Sequence, residues 1–217
     1  MSKKVISATL LAAFCAVSAG AQADERRYQT SNVVDLTGAA ASAYAGAAWL
    51  IRSENEIEGR IMAKVSTAGD PYTLWFILFN DPGSCENMGC GVDDIENGRG
   101  QASVFHATGA ISAPDGVLNR NGKPAGGGVV NLDFEIEGGD LPTDLFVLVP
   151  GVPTGLVEDN GFGVEVHLVI DRHPPVNGMS WIPDLTTTNF PGAGPATNDS
   201  AAVFLACPDD SCPATVL

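Results

Sequence analysis

The chain has 217 residues, 45% of them apolar, and sets 26 acidic residues against 11 lysines and arginines for a formal net charge of −15. An apolar share of that size is enough for a sizeable core. A surface this acidic repels phosphate backbones and anionic headgroups, which argues against nucleic acid and anionic membrane as partners.

The chain opens "MSKKVISATLLAAFCAVSAGAQA". Lys3 and Lys4 make a positive n-region, residues 5–17 a mostly apolar run, and "AQA" at 21–23 supplies the small residues a signal peptidase reads. The run is shorter than the ~20 residues of a membrane span. Phe14 stands before Cys15 where a lipoprotein signal needs a small residue, so no lipid or membrane anchor is expected. The expectation is a signal peptide over 1–23 and one exported domain over 24–217, periplasmic or extracellular. Losing Lys3 and Lys4 takes the mature chain to a net charge of −17.

After residue 24 the sequence reads as short apolar segments punctuated by 24 glycines and 14 prolines, with no convincing helix. A first strand is predicted in "AAWLIRS" (47–53). In "EIEGRIMAKVS" (56–66), Ile57, Ile61, Ala63 and Val65 face inward and Glu58, Arg60 and Lys64 outward; Met62 alone breaks the alternation. "YTLWFILFND" (72–81) is apolar on both parities, as in a strand covered on both faces. What covers its outer side is either loops of this chain or a partner or ligand, and Trp75 and Phe79 are the residues of such an interaction surface.

Four cysteines remain after the leader, Cys85 and Cys90 in "CENMGC" and Cys207 and Cys212 in "CPDDSC". In an exported chain they predict two disulfides. Local closure contributes about 2 kcal/mol per bridge and cross-pairing nearer to about 5. Local pairs are the expectation, because both motifs read as loop tips flanking strands; a four-cysteine zinc site is the alternative, at looser spacing than zinc knuckles use. Between them, "GVDDIENGRG" (91–100) clusters Asp93, Asp94 and Glu96, hard oxygen donors that suit calcium although the spacing misses the EF-hand pattern.

Further strands are predicted in "QASVFHATGAI" (101–111), "VVNLDFEIE" (129–137), "LFVLV" (145–149), "GVEVHLVID" (163–171) and "AAVFLAC" (201–207), with "TTTNFPGAGPATNDS" as a polar loop before the last. About eight strands without repeats or linkers predict an all-β domain, an antiparallel β-sandwich before a small closed barrel.

In the 163–171 strand Val164, Val166, Leu168 and Ile170 share one parity, Glu165, His167 and Asp171 the other. Same-side neighbours stand roughly 7 Å apart along a strand, so Glu165 and His167 can share a metal or an acid–base task. A transition-metal site needs a third protein ligand, for which His106 is the candidate. The plainer reading is the wet face of a strand. No G-x-S-x-G elbow is present, paired cysteines leave no thiol nucleophile, and "GGG" at 126–128 lacks the helix and lysine of a phosphate loop.

"LWFILFNDPGSC", "CGVDD", "ASVFHATG" and "EVHLVIDRHPP" together resemble a set of exported bacterial proteins without assigned activity. The similarity covers roughly residues 65–175. It implies an all-β domain with a Phe79-Asn80-Asp81-Pro82 corner and transfers no catalytic residue. The leading expectation is an exported non-enzymatic binding or structural module with a protein or small-ligand partner. The alternatives are a metal-dependent hydrolase on the Glu165/His167 strand and a calcium-stabilised interaction domain.

Overall fold

The computed structural model describes residues 25–37, 43–87, 89–114, 128–139, 145–146, 155–173, 196–207 and 212. The leader and the glycine-rich stretch 126–127 lie outside these residues.

The described chain is all-β: ten strands and one short helix. In order they are β1 (Arg27–Asp35), β2 (Tyr44–Arg52), β3 (Glu56–Val65), β4 (Pro71–Phe79), α1 (Val92–Glu96), β5 (Ala102–Ile111), β6 (Ala113–Pro114), β7 (Gly128–Glu137), β8 (Leu145–Phe146), β9 (Glu165–Arg172) and β10 (Thr197–Phe204). All belong to a single sheet, ordered β6-β7-β3-β2-β1-β10-β9-β4-β5-β8, and every ladder in it is antiparallel.

That single sheet corrects the sandwich in favour of the barrel alternative. β5 lies near one edge, yet the chain passes through Ser112 straight into β6, which pairs with β7 at the other edge. The two edges are therefore drawn together and the sheet curls almost closed. Phe76 of β4 spans the interior, stacked on Phe105 of β5 (5.2 Å) and edge-on to Phe134 of β7 (4.8 Å). A recess of about 680 Å³ is lined by residues of β2, β3 and β7, among them Trp49, Arg60 and Asp133, and by Ala107 and Thr108 of β5.

Two-residue periodicity decides which side chains fill the interior. Val164, Val166, Leu168 and Ile170 of β9 and its lead-in are fully buried, as are Leu74 and Leu78 of β4 and Ile57 and Ile61 of β3. Each contributes ~2 kcal/mol by leaving water. On β7, Val130, Leu132, Phe134 and Ile136 point in while Asn131, Asp133, Glu135 and Glu137 stay exposed, the expected alternation without a break.

Three local expectations change. β1 is absent from the sequence reading because its inward residues are Gln29, Ser31 and Val33, too polar to read as a core stripe. Gln29 Oε1 instead accepts from Arg52 Nε (3.0 Å), and the buried Arg52 guanidinium also donates to the carbonyls of Gly161 (3.1 Å) and Val164 (2.8 Å). Burial lowers the Arg52 pKa to about 9, a loss that the Glu165 charge partly opposes. The last strand starts at Thr197 rather than 201, since Asp199 and Ser200 are buried and the Asp199 carboxylate accepts from the Ser66 amide (3.1 Å). Finally, α1 interrupts a stretch read as loop.

Candidate functional site: a groove on the outer face of β4 and β9

The double-sided apolar character of β4 divides cleanly. Tyr72, Leu74, Phe76 and Leu78 enter the barrel, leaving Thr73, Trp75, Ile77 and Phe79 outside. On that outer face the ladder sets Phe79 beside Glu165, Ile77 beside His167, Trp75 beside Val169 and Thr73 beside Asp171. On the other flank Val104 of β5 lies beside Ile77 and His106 beside Trp75.

Part of the cover comes from residues 80–101. After the Asp81-Pro82 corner the chain makes one 3-10 turn (Pro82–Ser84), the Cys85–Cys90 disulfide and α1, and folds back over Phe79. Phe79, Cys90 and Ile95 form a small second core with Ile77, Cys85, Ala102 and Val104 against it. Gly100 closes the return at φ +72, where a Cβ would come within 2.7 Å of the Phe79 ring and 2.9 Å of Cys85 Sγ. Both disulfides are the local pairs expected, Cys85–Cys90 and Cys207–Cys212. Phe79 is fully buried beneath the chain's own loop and so is not available at the surface, whereas Trp75 is only half-buried.

Among the described residues Asp93, Asp94 and Glu96 are not gathered on one centre. The Asp94 carboxylate turns inward and accepts from the amides of Glu86 (3.0 Å) and Gly91 (2.9 Å) and from Arg99 Nε (2.7 Å). The Glu86 amide, then the Gly91 amide and Arg99, outweigh burial and hold its pKa below the ordinary value. Asp93 and Glu96 face water on the other side of the turn. Asp94 therefore builds the loop, which is a structural use of the acidic motif.

Glu165 and His167 do meet. Glu165 is buried, and its Oε1 accepts from the Cys90 amide (2.8 Å) and pairs with His167 Nε2 (2.6 Å), while the His167 ring lies 5.0 Å from Phe79. A carboxylate accepts, so Nε2 carries the hydrogen of this pair. His106 does not join them. It sits edge-on to Trp75 (5.9 Å), toward His173, whose pKa is lowered by burial and then by His106. Among the described residues no three histidines, cysteines or carboxylates converge on a metal-sized centre. The histidines of the sequence motif thus separate into two ends of one face.

At the second end, the buried Thr73 Oγ1 accepts from Trp75 Nε1 (3.1 Å) and lies 2.9 Å from Nε2 of the equally buried His173. This pins the indole against the sheet. Asp171, Thr73's neighbour on β9, has no such arrangement. Its Oδ1 is enclosed and takes no hydrogen bond from any described residue, and burial pushes its pKa up to about 6.

Between the two ends runs a recess of about 420 Å³. Its floor is Trp75, Ile77 and Val169, with His167 at one end and Asp171 at the other, and Val92 and Ile95 of α1 form a wall. Small-ligand sites have this size and this mixture of apolar lining and few polar groups. The sequence signal for the floor was the double-sided β4; the α1 wall gave none, because five residues are too few for a helical period to show. Searched against protein-family models, curated proteins and solved structures, the chain matches none of them.

Proposed function

We propose that this is an exported, non-enzymatic binding domain that holds a small, mainly apolar ligand in the groove between α1 and the outer face of β4 and β9. One observation carries the reading. The outer face of an antiparallel sheet is ordinarily wet and polar, yet here Trp75, Ile77 and Val169 line a recess walled by a disulfide-anchored loop. Export is supported by the leader-like N-terminus and by two disulfides, which persist in oxidising compartments.

Trp75 on the floor provides the readout. Titrating the purified protein with naphthalene should quench its indole emission saturably, and Val92→Glu, a change at a wall residue that is 66% exposed, should abolish the quenching without altering the fold. Absence of saturable quenching in the wild type rejects the reading. A metal-dependent hydrolase on the Glu165/His167 pair is the competing view, and stoichiometric transition metal in the purified protein would establish it over a binding module.

A further inference from the structure

We infer that the ligand of this groove is a cation, an apolar amine whose ammonium group sits against the Asp171 carboxylate. The inference rests on the binding reading above and specifies the chemistry of its ligand.

The groove has two polar ends that are not equivalent. At the first end Glu165 is already engaged by the Cys90 amide and His167, so its charge is met within the protein. At the second end the Asp171 carboxylate lines the recess with one oxygen shut from water and no hydrogen bond made to it by a described residue. A buried, uncompensated acceptor costs free energy that only a donor recovers.

The neighbours of Asp171 do not supply that donor. On β9, Arg172 Nε is turned to Asp70 (2.8 Å), and His167 is held by Glu165. Just beyond, His173 lies on the Thr73 hydroxyl. From β4 come Thr73, occupied by Trp75 and His173, and the Trp75 indole; from β10 comes Asn198, and from β5 His106 is reached only across Trp75. Burial alone shifts the Asp171 titration, with no charged group acting on it. The described surroundings thus leave one negative charge in the recess that Trp75 also lines, a combination that favours an ammonium through ion pairing and cation–π attraction.

The dimensions set the rest. Asp171 and His167 are four residues apart on a strand, about 13 Å. An ammonium on Asp171 leaves room for an apolar body of naphthyl size over Trp75, Val169 and Ile77, reaching toward Ile95. The ammonium keeps its charge throughout the acid range, whereas Asp171 loses its own below about pH 6, so binding weakens on mild acidification.

The test compares 2-(2-naphthyl)ethylamine with the matching alcohol by calorimetry on the mature chain, at two salt concentrations. At pH 7.5 the amine should bind at least tenfold tighter than the alcohol. That preference should vanish at pH 5 and in Asp171→Asn, while alcohol affinity stays within twofold of wild type. Glu137→Gln removes one charge from the opposite side of the barrel and should keep the preference. Equal affinities in the wild type overturn the inference and leave the binding reading standing. A preference that survives Asp171→Asn, or that Glu137→Gln removes equally, traces to the overall charge and also overturns it. If neither compound binds the wild type, the binding reading itself falls. The wild-type pH profile decides the matter even if Asp171→Asn does not fold.

Discussion

Two outer faces of one curled sheet behave in opposite ways. Along β3 and β7 the outside is wet and charged: Glu56 stands directly opposite Glu137, Glu58 opposite Glu135, and Arg60 pairs with Asp133. Along β4 and β9 the outside carries Trp75, Ile77, Phe79 and Val169, and its one glutamate, Glu165, is buried under the Cys85–Cys90 loop. The inward faces are alike; only the cover differs. An acid on the wet face is solvated and adjustable, whereas an acid on the covered face must be hydrogen-bonded or it stays costly. Glu165 and Asp171 show both outcomes on one strand.

The comparison breaks most sharply at the two glutamates Glu165 and Glu137. Glu165→Ala should cost about 2–3 kcal/mol in urea unfolding, because it strands the buried Cys90 amide and the His167 ring. Glu137→Ala should stay within about 0.5 kcal/mol. Equal costs would mean that the loop does not shield the β4–β9 face. The next largest effect is the cover itself. Replacing Cys85 and Cys90 by serine should cost about 2 kcal/mol, the entropy of a short closed loop. Replacing Cys207 and Cys212 should cost as much. Only the first pair holds the wall of the groove, so only its loss should also weaken naphthalene quenching of Trp75.

Asp171 gives a change of opposite sign. Its folded pKa, about 6, lies above the ordinary value of 3.8, so the folded state holds its proton more tightly than the unfolded one. The contribution to stability is therefore greatest at low pH and is lost as pH rises from about 4 through about 6. Asp171→Asn should raise stability at pH 7 by about 1 kcal/mol, after allowance for the side that solvent still reaches, and the gain should disappear at pH 4. His173 runs the other way: burial, then His106, lower its pKa, so its contribution is lost as pH falls below about 6.5. Thermal melts of wild type and Asp171→Asn between pH 4 and 8 separate the two. A gain that persists at pH 4 removes the charge as its cause.

Alternation made the fold class legible. Leu132, Phe134 and Ile136 on β7 and Val166, Leu168 and Ile170 on β9 place the interior without reference to any neighbour, and the two C-x4-C spacings suit the local disulfides found. Curling was not legible, since whether one sheet closes or two face each other depends on which strands meet at the edges, here β6 on β7. β1 escaped because its inward Gln29 serves a buried Arg52 from the next strand. At the site, residue spacing brought Glu165 to His167 correctly but could not exclude His106, whose position depends on the irregular register between Leu74 and Trp75 that sets it beside the indole. In the acidic loop, too, spacing does not say which way a carboxylate turns. Asp94 looks like a cation ligand in sequence and in space is filled by two amides and Arg99.

The smallest expected effect tests the wet face on its own terms. Like charges directly opposite on an antiparallel ladder repel, and β3–β7 carries two such pairs in succession. The pKa of Glu135 is raised, chiefly by the charge of Glu56. Arg26 offsets part of the repulsion by bridging Glu56 (2.7 Å) and Glu58 (2.8 Å), but it leaves the β7 partners without a cation of their own in that bridge. Glu137→Lys turns one repulsive pair into an attractive one and should stabilise the fold by about 0.5 kcal/mol at low ionic strength. Because the pair is exposed, most of the gain should be gone at 1 M salt, where charges are screened over about 3 Å. A gain indifferent to salt would point to better β-packing by the lysine stem instead of charge, and the β3–β7 face would then be less wet than its alternation indicates.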